Sequence, residues 1–136
     1  MVNNDRMKTL FLDIETLPAD EASRDALAYL YERKQEKSRK KAGTKEGAAV
    51  PATADPEDFE QFLLRTSFDG AFGRILCIGY AVDDGPVDAL TGDERDILVR
   101  FWELARSVGR YVGHNVMEFD LRFIYQRSIV CACGRA

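Results

Sequence analysis

Residues 8–14 read KTLFLDI with Glu15 directly behind them, and no other segment limits the fold of this 136-residue chain as strictly. Leu10, Phe11, Leu12 and Ile14 suit a central strand buried on both faces, as the strands of parallel sheets are. Asp13 and Glu15 stand two residues apart in that strand, so their side chains leave the same face with Cα atoms about 7 Å apart. Two like charges in a buried strand lose hydration and repel each other unless a cation lies between them, and a divalent metal would remove the conflict. Taken alone, Asp-x-Glu is a short pattern and more often marks two solvated acids just beyond a strand that ends at Leu12.

The rest of the chain supplies partners for such a strand. Residues 75–82 (ILCIGYAV) form a second apolar run, Asp83-Asp84-Gly85-Pro86 has the composition of a tight turn, and residues 87–90 read as a third strand, which makes a hairpin. Thr91 and Glu94 have capping-box spacing ahead of a helix on which Ile97, Leu98, Phe101, Leu104, Ala105 and Val108 recur at helical intervals. Tyr111-Val112-Gly113 is a brief fourth strand leading into His114-Asn115, and residues 116–126 have the length and periodicity of a further helix. The order strand, hairpin, helix, strand, helix predicts one α/β domain over residues 1–136, since the length suits one core and is too short for two.

Residues 18–72 differ in character and read as a helical, basic insertion on that domain. Ala22, Ala26, Leu27 and Leu30 give an apolar stripe, after which Arg33, Lys34, Lys37, Arg39, Lys40, Lys41 and Lys45 crowd a nearly polar stretch. This stretch could guide a nucleic-acid strand, but the interspersed Glu32, Glu36 and Glu46 favour an ordinary solvated helix. Residues 44–53 read as a loop of small residues, and Asp55-Pro56 as the cap and first turn of a helix presenting Phe59, Phe62 and Leu63.

The second chemical signal is His114-Asn115-Val116-Met117-Glu118-Phe119-Asp120. On a wheel of about 100° per residue, Val116, Met117, Phe119, Leu121, Phe123 and Ile124 form one arc, with Glu118, Arg122 and Gln126 opposite. Asp120 falls inside the apolar arc. An unpaired buried carboxylate costs several kcal/mol, so this one must meet a cation, a donor or a wet cleft, and Arg127 on the same side is one possible partner. An acidic pair at a strand's end and an inward acid about a hundred residues later can converge on one crevice at strand ends. Three carboxylates suit Mg²⁺ or Mn²⁺, whereas a structural zinc site needs more Cys and His than one histidine and three cysteines supply.

Composition narrows the partners. A net charge of −4, from 19 Lys+Arg against 23 Asp+Glu, excludes polyanion binding by bulk attraction, so such a partner needs a local site or a metal. No stretch approaches the roughly 20 apolar residues of a membrane span. Residues 1–5 lack the order of a signal peptide, and Cys77, Cys131 and Cys133 are an odd set ill suited to a disulfide framework, so a cytoplasmic location is expected.

Three segments carry a resemblance: Phe11-Leu12-Asp13-Ile14-Glu15-Thr16, Phe72-Gly73-Arg74-Ile75 through Gly79, and Gly113-His114-Asn115 through Phe119-Asp120. Together they resemble the DnaQ-like, or DEDD, 3′-to-5′ exonuclease superfamily, in particular the group related to the proofreading domain of family-B DNA polymerases. The resemblance implies a ribonuclease H-like mixed sheet flanked by helices, with four acids holding two Mg²⁺ or Mn²⁺ ions that hydrolyse the terminal phosphodiester. Asp13, Glu15 and Asp120 match three of those acids as metal ligands and catalytic residues. Thr16, Leu17 and Asn115 match positions that meet the terminal nucleotide or order the site. His114 could be a general base, but in the family its position belongs to a turn before the helix, and that structural role is favoured.

The superfamily's third motif, which brings the fourth acid, has no match after residue 128, where SIVCACGRA contains no Asp, Glu, His or Tyr. The resemblance therefore implies a C-terminally truncated member, with the sheet incomplete at that edge. An open edge invites pairing with another chain, including a second copy. The implied partner is single-stranded nucleic acid, DNA rather than RNA. The competing reading is a non-catalytic nucleic-acid or protein interaction module derived from such an exonuclease.

Overall fold

A computed structural model describes residues 7–43 and 58–133. In chain order the elements are β1 (Lys8–Leu17), α1 (Arg24–Gly43), α2 (Phe59–Arg65), β2 (Arg74–Val82), β3 (Asp88–Leu90), α3 (Glu94–Ala105), β4 (Val108–Val112) and α4 (Asp120–Val130). The fold is mixed α/β: among the described residues, four strands run in the order β3-β2-β1-β4, with β1 antiparallel to β2 and parallel to β4. β1 is central, as its apolar run predicts. Among the described residues β4 is an edge strand.

Burial along β1 corrects the two-sided expectation. Leu10, Leu12 and Ile14 are buried, while Phe11 is 43% exposed and Asp13 and Glu15 are exposed. The cause lies in the layers. The antiparallel register pairs Leu12 with Tyr80 and Ile14 with Ile78, so one face of the sheet collects the apolar side chains. α3 and α4 close over that face with Ile97, Leu98, Phe101, Phe123 and Ile124, and these form one core with β1 and β2. α1 packs instead on α2, where Tyr31 meets Phe59 and Phe62 at ring separations of 5.4 Å. β1 therefore alternates with period two, and the repulsion expected between two buried acids does not arise for Asp13 and Glu15.

The hairpin forms as its turn residues dictate. Asp83 takes φ +48°, and its side chain accepts from Thr9 N–H while its own N–H donates to Thr9 C=O. Four caps and borders differ from the sequence reading. α3 begins at Glu94, so the cap is Asp93, which accepts from Arg95 N–H, and not Thr91. Asp58 caps α2 by accepting from Gln61 N–H, whereas 44–53, Asp55 and Pro56 lie outside the described residues. β4 starts at Val108, which belongs to the strand and not to α3. α4 starts only at Asp120, after a turn over residues 116–119, so Met117 escapes the apolar arc and is 69% exposed.

Candidate metal and nucleic-acid site

The site arises where β4 stops short of the end of β1. Thr9 turns its N–H and C=O toward Asp83, on the β2 side, so by backbone alternation Leu12 C=O and Ile14 N–H point the other way, toward β4. Pairing with β4 ends at Phe11 opposite Val112, which leaves Ile14 N–H without a strand partner. The chain leaves β4 through Gly113, whose missing Cβ would stand 2.6 Å from Leu12 C=O, and turns at Asn115 with φ +50°. Only a glycine fits that approach. Asn115 C=O accepts from Phe119 N–H at 3.0 Å, and the turn delivers Asp120 into the gap.

There Asp120 Oδ2 accepts from Ile14 N–H at 3.2 Å. A side chain from the start of α4 thus takes the place that a continuation of β4 beyond Val112 would fill, and it sits at the residue lying between Asp13 and Glu15. Asp120 is only 2% exposed. Burial raises its pKa above the usual 3.8, and the neighbouring Asp13 charge adds to the rise; the Ile14 N–H and His114 pull the other way.

Arg127 is not the partner of Asp120. Its guanidinium forks onto Glu94, with Nη2 to Oε1 at 2.6 Å and Nε to both oxygens at 3.1 Å, in a pair whose side chains are 8% and 15% exposed. Glu94 also accepts from Ile75 N–H at 2.5 Å, and Arg127 reaches Gly70 and Ala71 C=O at 3.4 Å. This network ties the turn ahead of β2 to α3 and α4, and among the described residues no Lys or Arg pairs with Asp120.

The expected substrate contacts fall around the same strand end. A β-bulge at Glu15/Thr16 leaves Leu76 as the extra residue on β2 and re-aims the end of β1. Thr16 Oγ1 donates to Ser67 C=O at 2.7 Å, and Leu17, half-buried, lies opposite Arg74, whose Nε donates to Pro18 C=O. His114 and Asn115 are exposed in the turn before α4.

Sequence reasoning missed the parts played by Thr66 and Phe68. Thr66 Oγ1, in a buried residue, accepts from Ala19 N–H and donates to Leu63 C=O, which ties the end of α2 to the chain leaving β1. Phe68 is 73% exposed and tilts against Phe119 at 6.4 Å, and Phe119 in turn meets buried Phe123 at 5.7 Å. The three rings run from solvent to core and border a cleft of ≈ 270 Å³ shared with Asp69, Glu118, Arg122 and Gln126. A phenylalanine in the turn sequence TSFDGAFG is a weak signal, since only the fold places it against Phe119.

The acids are hard oxygen donors and fit a hard divalent cation better than any soft metal. A cation would relieve the strain that burial and Asp13 place on ionised Asp120. Among the described residues, however, no three His, Cys, Asp or Glu side chains already converge as a closed metal cage. Asp13 and Glu15 are exposed on either side of Ile14, the residue whose N–H Asp120 holds. Compared with known proteins, the chain matches no family model and no curated protein.

Proposed function

We propose that this chain is a ribonuclease H-like domain of the DnaQ-like type, acting as a metal-dependent 3′-to-5′ exonuclease on single-stranded DNA ends. One observation carries the reading: the bond from Ile14 N–H to Asp120 Oδ2 brings the helical acid to the strand residue flanked by Asp13 and Glu15. Three carboxylates from two distant segments at the ends of adjacent strands match three of the four acids that the resemblance implies for metal-assisted phosphodiester hydrolysis.

Asp13, Glu15 and Asp120 are the residues that would hold Mg²⁺ or Mn²⁺. Such ions, when bound, supply an acidified water and neutralise charge at phosphorus. The chain's own residues do the rest. The Ile14 N–H and the packing of α4 fix Asp120, so its ligand geometry is set before substrate arrives. Thr16 and Leu17, at the bulged end of β1, border the place of the terminal nucleotide, and Asn115 shapes the turn that delivers Asp120. Phe119 and exposed Phe68 offer ring faces on which unpaired bases stack, a mode that selects single strands.

The test is shortening of a 5′-labelled single-stranded DNA oligonucleotide by the purified chain with Mg²⁺ or Mn²⁺. Asp13→Ala and Asp120→Ala should each cut the rate on the order of a hundredfold or more. Equal shortening by wild type and both variants would reject the carboxylate mechanism. A second reading, a non-catalytic interaction module, draws on the absence of a closed cage among the described residues and on the open β4 edge. It gains if the oligonucleotide binds and no variant, wild type included, shortens it.

A further inference from the structure

We infer that one face of α1 is a second nucleic-acid contact, a basic stripe of Arg33, Lys37 and Lys41 that takes successive phosphates of a single strand. The choice of nucleic acid among polyanions rests on the function proposed above; the stripe itself does not.

The 20-residue helix has a single buried side chain, Leu27, so core packing does not explain its length. On a wheel of about 100° per residue, Arg33, Lys37 and Lys41 fall within roughly 80° of one another, one turn apart in succession over about 12 Å. All three are exposed. Leu27, Tyr31 and Lys34 lie on the adjoining arc, where α2 packs and Lys34 stands over the Phe62 ring at 5.5 Å. The acids of this region, Glu32 and Glu36, lie on the other flank.

Two features set the stripe apart from a solvated helix face. Like charges at i, i+4 destabilise a helix, and here they repeat twice without an intervening acid on that line. A sequence chosen only for solubility would alternate signs along it. The chain as a whole is net negative, yet residues 33–41 hold six basic residues against one acid, Glu36, so the positive charge is concentrated in one place. Tyr29 extends the line by one more turn, 59% exposed, with the Arg33 guanidinium 5.9 Å from its ring centroid. Cations in a row with an exposed ring at the end match a single strand, whose phosphates and unstacked bases need both. The line also borders a groove of ≈ 340 Å³ lined by Leu30, Ser38 and the basic side chains.

The experiment measures anisotropy of a labelled single-stranded DNA 20-mer against the full chain in EDTA, over a salt series, so that hydrolysis plays no part. The triple variant Arg33→Gln/Lys37→Gln/Lys41→Gln should weaken binding at low salt by at least tenfold and reduce the slope of log K against log salt by about 2, at roughly 0.7 per phosphate lost. Melting curves of the triple variant and wild type are compared alongside, so that weaker binding by a variant that is folded at the assay temperature cannot be attributed to unfolding. Asp13→Asn, which tests the acid site, should bind the oligonucleotide at least as tightly as wild type in EDTA. The inference is overturned if the triple variant keeps wild-type affinity and slope. It is overturned equally if wild type ignores the oligonucleotide and instead binds vesicles of phosphatidylserine and phosphatidylcholine in a stripe-dependent way.

Discussion

Asp120 does two jobs with opposing demands. As the acceptor for Ile14 N–H it closes a gap in the sheet, and for that an amide oxygen serves as well as a carboxylate. As a buried anion near Asp13 it is a burden, which is why its pKa lies above 3.8. A carboxyl whose folded pKa is raised favours the native state fully below its unfolded pKa, and that contribution is lost as pH rises through the folded value. Asp120→Asn is therefore expected to melt higher than wild type at pH 7, with the gap closing as pH falls below about 4, where wild-type Asp120 is protonated in both states. Melting curves by circular dichroism across pH 3–8, without added metal, check this. A gap that widens toward acid would mean that the charge stabilises the fold. Asp120 was legible in the sequence because only its helical phase, inside an apolar arc, was needed to turn it inward. Its partner was not, because Ile14 N–H is free only once β4 has ended at Val112.

At the scale of elements, α4 shows how local rules and tertiary demands divide the work. Its end is a Schellman arrangement: Ala132 N–H donates to Ile129 C=O and Cys133 N–H to Ser128 C=O, with Ala132 at φ +51°. That position favours glycine, since a Cβ in the left-handed region costs about 1–2 kcal/mol. Ala132→Gly should stabilise the chain by roughly 1 kcal/mol, or about 4 °C in thermal denaturation. The same last turns hold Cys131, whose thiol burial and the adjacent Glu94 carboxylate push up to about 11. The hairpin and α3 were legible because DDGP and the spacing of Ile97, Leu98 and Phe101 are local signals. The one-sided burial of β1 was not, since Leu-Phe-Leu reads as continuous and only the layer arrangement leaves Phe11 uncovered. The same holds for the Arg127–Glu94 pair: Glu94 sits at capping-box spacing from Thr91, and nothing nearby in sequence reveals a guanidinium 33 residues away.

Among the described residues, Asp13, Glu15 and Asp120 stand at the β1 end near the start of α4, and Arg33, Lys37 and Lys41 line one face of α1. Among the described residues no helix is long and apolar enough to cross a membrane, and the apolar face of the sheet is closed by α3 and α4. The opposite face carries Asp13 and Glu15, so added ions can reach them without unfolding anything. A ligand that binds the native state alone raises stability by RT ln(1 + [L]/Kd), about 2.7 kcal/mol at a hundredfold excess over Kd. Mn²⁺ should therefore raise the melting temperature of wild type by several degrees. The same addition should do little for Asp13→Asn or Asp120→Asn, each lacking a charge that would hold the ion, while the Arg33/Lys37/Lys41 variant should respond as wild type does. This pattern separates ligation by the three acids from general screening, because screening would move all four proteins together. A wild-type curve that does not shift, or one matched by both acid variants, would remove the metal from the account and leave Asp120 as a structural acceptor alone.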